Sequence, residues 1–143
     1  MPPVHILDTS ALGRAFTEGP PHPWLTNLID SGEATMSVLG LTEARSIVQT
    51  RVRRGLPASQ AETLWTAIRT ALELIRFTDL DRHDFEVAQA LLGTEPSLRA
   101  ADAIHLAGAR HVAEAGVGVT FVTADRRQAA VAERLLDGVR LLA

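Results

Sequence analysis

The chain has 143 residues, 46% of them hydrophobic and 22% charged, and a net charge of −3. That is the make-up of a soluble globular domain with enough length for one core, not of a disordered chain or a strongly basic nucleic-acid binder. It holds no cysteine, and all 14 of its basic residues are Arg, which excludes disulfides, thiolate metal sites and any mechanism that needs a lysine.

The predicted elements alternate from the first residues on. "VHIL" at 4–7 reads as a buried strand, and "SALGRAF" starts a helix at Ser10. "PHPWLTNLIDSG" is the next helix, closed by Gly32, and it leads into a strand at 34–38, "ATMSV". "LTEARSIVQTRVRRG" carries Ile47, Val48 and Val52 on one helical face and stops at Gly55. "ASQAETLWTAIRTALEL" keeps Leu64, Ala67, Ile68, Ala71 and Leu74 in helical register, followed by a weak strand at 74–78. Two helices end at Gly93 and Gly116, a strand "VTFVT" spans 119–123, and "RRQAAVAERLLDG" separates it from a last strand at 139–142. Strands alternating with helices predict an α/β sandwich with a mostly parallel sheet. No linker, repeat or low-complexity segment divides the chain, so residues 1–143 are expected to form one domain. No apolar run nears membrane-spanning length and "MPPV" is not basic, so neither a transmembrane helix nor a signal peptide is expected, and the location implied is cytoplasmic.

Four acids stand out by position. Asp8 and Asp125 each follow a predicted strand, where open α/β sheets bind ligands; each also directly precedes a helix, where an acid can serve simply as a cap. Glu43 lies in the first turns of its helix, where acids are favoured by up to ~1 kcal/mol. Asp102 shares a helical face with Leu98, His105 and Ala109 in an otherwise small, apolar helix. Two like charges about 4 Å apart repel by roughly 4 kcal/mol at an effective dielectric of 20, so four converging acids would rival a domain's total stability of ~5–15 kcal/mol. Such a cluster needs protons or a cation, and oxygen-only ligands point to Mg²⁺ or Mn²⁺. An ion of that kind activates water and neutralises charge on a phosphodiester.

At these residues the chain resembles PIN-domain ribonucleases, specifically the VapC-type toxins of type II toxin–antitoxin systems. The motifs are "ILDTSAL", "LTEA", "LRAADAIHLA" and "FVTADRRQ", in that order along essentially the whole chain. The resemblance implies a three-layer α/β/α sandwich with a parallel five-stranded sheet in the order 3-2-1-4-5, and an Mg²⁺- or Mn²⁺-dependent endoribonuclease, commonly a homodimer. It implies Asp8, Glu43, Asp102 and Asp125 as the acidic quartet, with Asp8 and Asp102 as the main metal ligands. Glu43 and Asp125 complete the site or orient water, and Ser10 and Thr123 support the carboxylates. It further implies a VapB-type antitoxin that lies along the toxin, received by the early helices including the one with Trp24, and contact with DNA only through that antitoxin.

Setting the four acids aside turns the remaining net charge from −3 to +1. Arg14, Arg45, Arg99, Arg126 and Arg127 lie near site acids in sequence; Arg126, at a helix start that itself favours anions, is the leading RNA contact, with Arg99 and Arg14 behind it. His105 is a candidate neighbour of Asp102, or a packed histidine. The other four histidines form no ligand spacing. Trp24 reads as core, and Trp65 as core or dimer interface. A phosphotransfer receiver is excluded by the missing lysine, and nucleotide binding by the missing Gly-rich loop. The alternative from another class is a catalytically silent PIN module that binds RNA or a partner.

Overall fold

The computed structural model describes residues 2–17 and 19–142. Its elements run β1 (Val4–Leu7), α1 (Thr9–Phe16), α2 (Pro23–Asp30), β2 (Ala34–Ser37), α3 (Leu39–Arg53), α4 (Ala58–Leu74), β3 (Arg76–Thr78), α5 (Arg82–Thr94), α6 (Ala100–Glu114), β4 (Val119–Thr123), α7 (Arg126–Leu135) and β5 (Gly138–Leu141). Every strand pairing is parallel and the sheet order is β3-β2-β1-β4-β5. Parallel neighbours need long crossovers, which is why each strand-to-strand gap carries at least one helix. The chain builds outward from β1 to β3, then returns to the other side of β1 with β4. The strand order therefore reverses between β1 and β4, and the crevice beyond their carboxyl ends is the ligand position of such sheets.

Alternation along each strand separates two cores. Leu7 pairs across the sheet with Met36 and Val122, and all three bury against Ala11 and Leu12 of α1, Leu25 and Ile29 of α2, Val48 of α3 and Ile68 of α4. One residue out of phase, Ile6 and Phe121 face Ala88 of α5, Leu106 and Ala107 of α6, and Val131 of α7. The result is the α/β/α sandwich, with α1–α4 on one face and α5–α7 on the other. No helix among the described residues is long and apolar enough to cross a membrane.

The structure moves several predicted boundaries. The second helix starts at Pro23, because the His22 ring accepts the Leu25 N–H and caps it. Leu74 belongs to α4, so β3 begins two residues later than the apolar run that suggested it. Gly32, Gly55 and Gly116 take left-handed backbone past their helices, whereas Gly93 lies inside α5, which runs on to Thr94. Val52 is 47% exposed instead of sharing the buried face with Val48. Trp24 is only half-buried: the Arg140 guanidinium lies 3.6 Å from its ring centroid and His5 meets it edge-on at 5.5 Å. Trp65 is likewise half-buried, with Arg45 over its ring at 4.9 Å.

Candidate functional site

Asp8 sits where β1 hands over to α1, and it does cap that helix: its Oδ1 accepts the Ala11 N–H at 2.9 Å. Capping leaves most of its surroundings unexplained. The Ser10 hydroxyl donates to the same oxygen at 2.7 Å, and the Thr123 hydroxyl donates to Oδ2 at 2.5 Å. The two hydroxyls are themselves locked, since Ser10 Oγ accepts the Ala124 N–H and Thr123 Oγ1 accepts the Asp125 N–H. The carboxylate is 1% exposed. Burial pushes its pKa up, against the hydrogen bonds from Thr123, Ser10 and Ala11. The predicted partners Ser10 and Thr123 thus both reach Asp8, from opposite sides of the strand-order reversal.

Glu43, in the second turn of α3, is held by Thr9 and His105. Thr9 Oγ1 donates to its Oε1 at 2.6 Å, and His105 Nε2 lies 2.5 Å from the same oxygen. Burial opposes the Glu43 charge, but the hydrogen bonds from His105 and Thr9 and the His105 charge outweigh it, so its pKa is lowered. His105 is the packed histidine of the two readings, 2% exposed, and it serves Glu43 and not Asp102. Its other nitrogen, Nδ1, lies 3.1 Å from Ser37 Oγ at the end of β2.

Asp125 caps α7, accepting the N–H groups of Arg127 and Gln128. Its second oxygen pairs with the Arg127 guanidinium at 3.2 Å. Burial works against its charge, but Arg127's side chain and the two N–H groups prevail and its pKa is lowered. This corrects the argument for Arg126: the anion-favouring helix start is filled by Asp125 itself, and the paired arginine is Arg127. Arg126 and Arg99 are exposed, while Arg14 reaches back to the Pro20 carbonyl at 2.8 Å. Asp102 is half-buried at the start of α6. Its Oδ2 accepts the Arg99 N–H, and its Oδ1 has no hydrogen bond among the described residues. Buried Gln128 joins the two late acids, because its side chain donates to the Asp102 carbonyl while its N–H bonds Asp125.

The parallel sheet order points to one family. A model of the PIN domain matches residues 5–134. The chain belongs to the PIN domain family. Among curated proteins none matches it. FitAcB from Neisseria gonorrhoeae is similar in structure at a TM-score of 0.66 and 19% identity, over 94% of this chain and 95% of that one. PAE2754 from Pyrobaculum aerophilum superposes at 0.61 with 20% identity, over 95% and 87%. VapBC2 from Rickettsia felis, bound to a DNA fragment from their promoter, superposes at 0.62 with 16% identity, over 96% and 97%. At these identities the likeness is one of fold.

Among the described residues, donor atoms of Asp81, Asp84 and His111 lie within 4.8 Å of one another, and the four acids singled out by the resemblance, Asp8, Glu43, Asp102 and Asp125, form no such group. The tight group is explained locally. Asp81 and Asp84 form a reciprocal capping box at the start of α5, and His111 Nδ1 meets Asp84 Oδ1 at 2.7 Å, tying α6 to α5. His111 lies six residues beyond His105, about 9 Å along the helix. Asp84 raises the His111 pKa above 6.5 through its hydrogen bond and its charge. Burial opposes the Asp84 charge, but the Asp81 N–H and His111 outweigh it and its pKa is lowered from 3.8. Stability from His111 is complete below its unfolded value of 6.5 and is lost as pH rises through the raised folded value. Because the His111 side chain is 53% exposed, the gain is at most about 1 kcal/mol. Urea unfolding at pH 6 and 8.5 should show wild type losing up to that much more than His111→Asn; equal losses would mean that the pair contributes nothing.

Proposed function

We propose that this PIN domain is a divalent-metal-dependent endoribonuclease and the toxin of a toxin–antitoxin pair, acting in the cytoplasm as a homodimer. The observation that carries the reading is the buried Asp8 carboxylate at the strand-order reversal, with open carboxylate oxygens on Glu43 of α3 and Asp102 of α6. A carboxylate has about four acceptor positions, and Asp8 uses three of them, so one remains. Asp102 Oδ1 and Glu43 Oε2 have no hydrogen bond, and no buried side-chain polar atom among the described residues lacks a partner, so both oxygens reach solvent. Oxygen-only donors of this kind fit Mg²⁺ or Mn²⁺, and a cation would relieve the cost of Asp8's buried charge.

Asp8 and Asp102 would hold the ion. When bound it supplies a water of lowered pKa and neutralises charge developing on the phosphodiester. The remaining steps belong to the chain itself. Ser10 and Thr123 fix Asp8 by both oxygens, Glu43 offers Oε2 to orient the attacking water, and the Arg127 pair keeps Asp125 ionised. Arg99 and Arg126 are exposed and would be the contacts to RNA phosphates.

Two cavities share Thr17 and Arg51 in their linings: one begins at Thr9 and Ser10 and includes Thr50, the other is lined by Phe16 and Leu64. The polar residues of the first and the apolar residues of the second, across α1, α3 and α4, suit the extended peptide of a VapB-type antitoxin. VapBC2 is bound to a promoter DNA fragment; for this chain, contact with DNA would come only through the antitoxin.

Purified protein incubated with structured RNAs should cleave with Mg²⁺ or Mn²⁺ and stop on chelation. Expression should arrest growth unless the neighbouring gene is co-expressed. Cleavage that survives chelation sinks the metal mechanism. Tight RNA binding without cleavage under any divalent metal would instead establish a silent binding module.

A further inference from the structure

We infer that His105 is a positioning residue for RNA cleavage, clamping Glu43 by one oxygen so that the other is presented to the attacking water; this rests on the nuclease reading. The two donors at Glu43 both take Oε1: Thr9 Oγ1 at 2.6 Å and His105 Nε2 at 2.5 Å. Oε2 has none and reaches solvent. The asymmetry fixes which oxygen faces the reaction, since the carboxylate cannot rotate without breaking two bonds.

The clamp is fixed in turn from behind. The imidazole is 2% exposed and follows buried Ala103 in a helix whose next residues, Leu106, Ala107 and Ala109, are buried and apolar. A polar ring there is costly unless both nitrogens are bonded, and both are. Nε2 faces an acceptor and must carry a hydrogen, while Nδ1 faces the Ser37 hydroxyl at 3.1 Å, which rotates to donate to a neutral ring or to accept from a charged one. A flip of the ring would set carbon atoms against both partners, so orientation and proton position are determined together. Four elements meet in this relay: Ser37 ends β2, His105 lies on α6, Glu43 on α3, and Thr9 opens α1. Anchored carboxylates are a recurrent way to tune metal-assisted sites, and loss of such an anchor typically costs ~10–100-fold in activity.

The test compares His105→Leu, His105→Asn and His105→Gln, each checked for folding by circular dichroism and thermal unfolding. A glutamine amide can place an N–H near the position of Nε2, whereas the shorter asparagine cannot. Under multiple turnover with Mg²⁺, His105→Leu and His105→Asn should lose roughly 10–100-fold in kcat with KM within about twofold. His105→Gln should recover to within about fivefold of wild type. Unchanged kcat in His105→Leu, a loss confined to KM, or a His105→Gln no better than a folded His105→Asn overturns the inference. Ring ¹⁵N–¹H correlation spectra of wild type and Glu43→Gln supply a readout independent of turnover: Nε2 should be protonated, with its proton shifted upfield by Glu43→Gln. An unprotonated Nε2, or a resonance indifferent to Glu43→Gln, overturns the clamp even if the leucine variant fails to fold. If wild type itself shows no metal-dependent cleavage, the nuclease reading fails, and these spectra still decide whether the clamp exists.

Discussion

Asp8→Asn should lower metal-dependent RNA cleavage by roughly a hundredfold or more while making the metal-free protein more resistant to unfolding. The two effects have one cause. Ionising a carboxyl that is 1% exposed works against its burial, so its charge weakens the fold until something positive offsets it. The folded pKa of Asp8 lies above the ordinary 3.8. Stability linked to its proton is therefore complete below that value and is lost as pH rises through the raised folded value. Asparagine has no such titration. Its Oδ1 can keep the Ser10 and Ala11 bonds, and the Thr123 hydroxyl can turn to accept from the new amide. In urea with chelator present, wild type should fall behind Asp8→Asn as pH rises from 4 to 8. Mg²⁺ should then raise the unfolding midpoint of wild type by mass action and leave Asp8→Asn unmoved. A variant that is less stable at pH 8, or that responds to Mg²⁺ as wild type does, removes Asp8 from the ligand set.

The parts of the fold that were legible in the sequence are those set by burial on both faces. β1 and β4 are continuous apolar runs because helices cover each side, and their bounds are those the pattern predicts. β3 is an edge strand of three residues, too short to separate from the apolar end of α4. At the site, the strand-end positions of Asp8 and Asp125 follow from chain order alone. The contacts of those residues do not. Asp102 and His105 share a helical face, but period and spacing cannot say which of them meets α3, because that depends on how α6 crosses the sheet. Nor can sequence tell Arg126 from Arg127 beside Asp125. Adjacent residues on a helix point about 100° apart, and only the phase of the first turn decides which guanidinium turns back. The role of Thr9, beside Asp8 and Ser10, is illegible for a related reason: its partner, Glu43, is 34 residues away, and no local pattern encodes that meeting.

Thr123→Val tests whether Asp8 depends on the support from β4. The substitution keeps the side-chain shape and removes one hydroxyl that performs two tasks. It donates to Asp8 Oδ2 at 2.5 Å and accepts the Asp125 N–H at 3.0 Å. Thr123 is 0% exposed, so water cannot readily replace either bond. A buried donor or acceptor left without its partner costs about 1–3 kcal/mol, more where one side is charged, so the expected destabilisation is about 2–4 kcal/mol. Removing a bond that favours the ionised carboxyl also pushes the Asp8 pKa further up, so the penalty should be smaller at pH 4 than at pH 8. Thr123→Ser keeps the hydroxyl and loses only a methyl group, which limits its cost to about 1 kcal/mol. The decisive measurement is a double-mutant cycle by urea unfolding. Once Asp8 is replaced by Asn, the charge-dependent part of the Thr123→Val penalty disappears, and the residual cost should fall by at least about 1 kcal/mol. An unchanged penalty in that background would mean that Thr123 braces the turn into α7 and not the carboxylate on which the proposed chemistry depends.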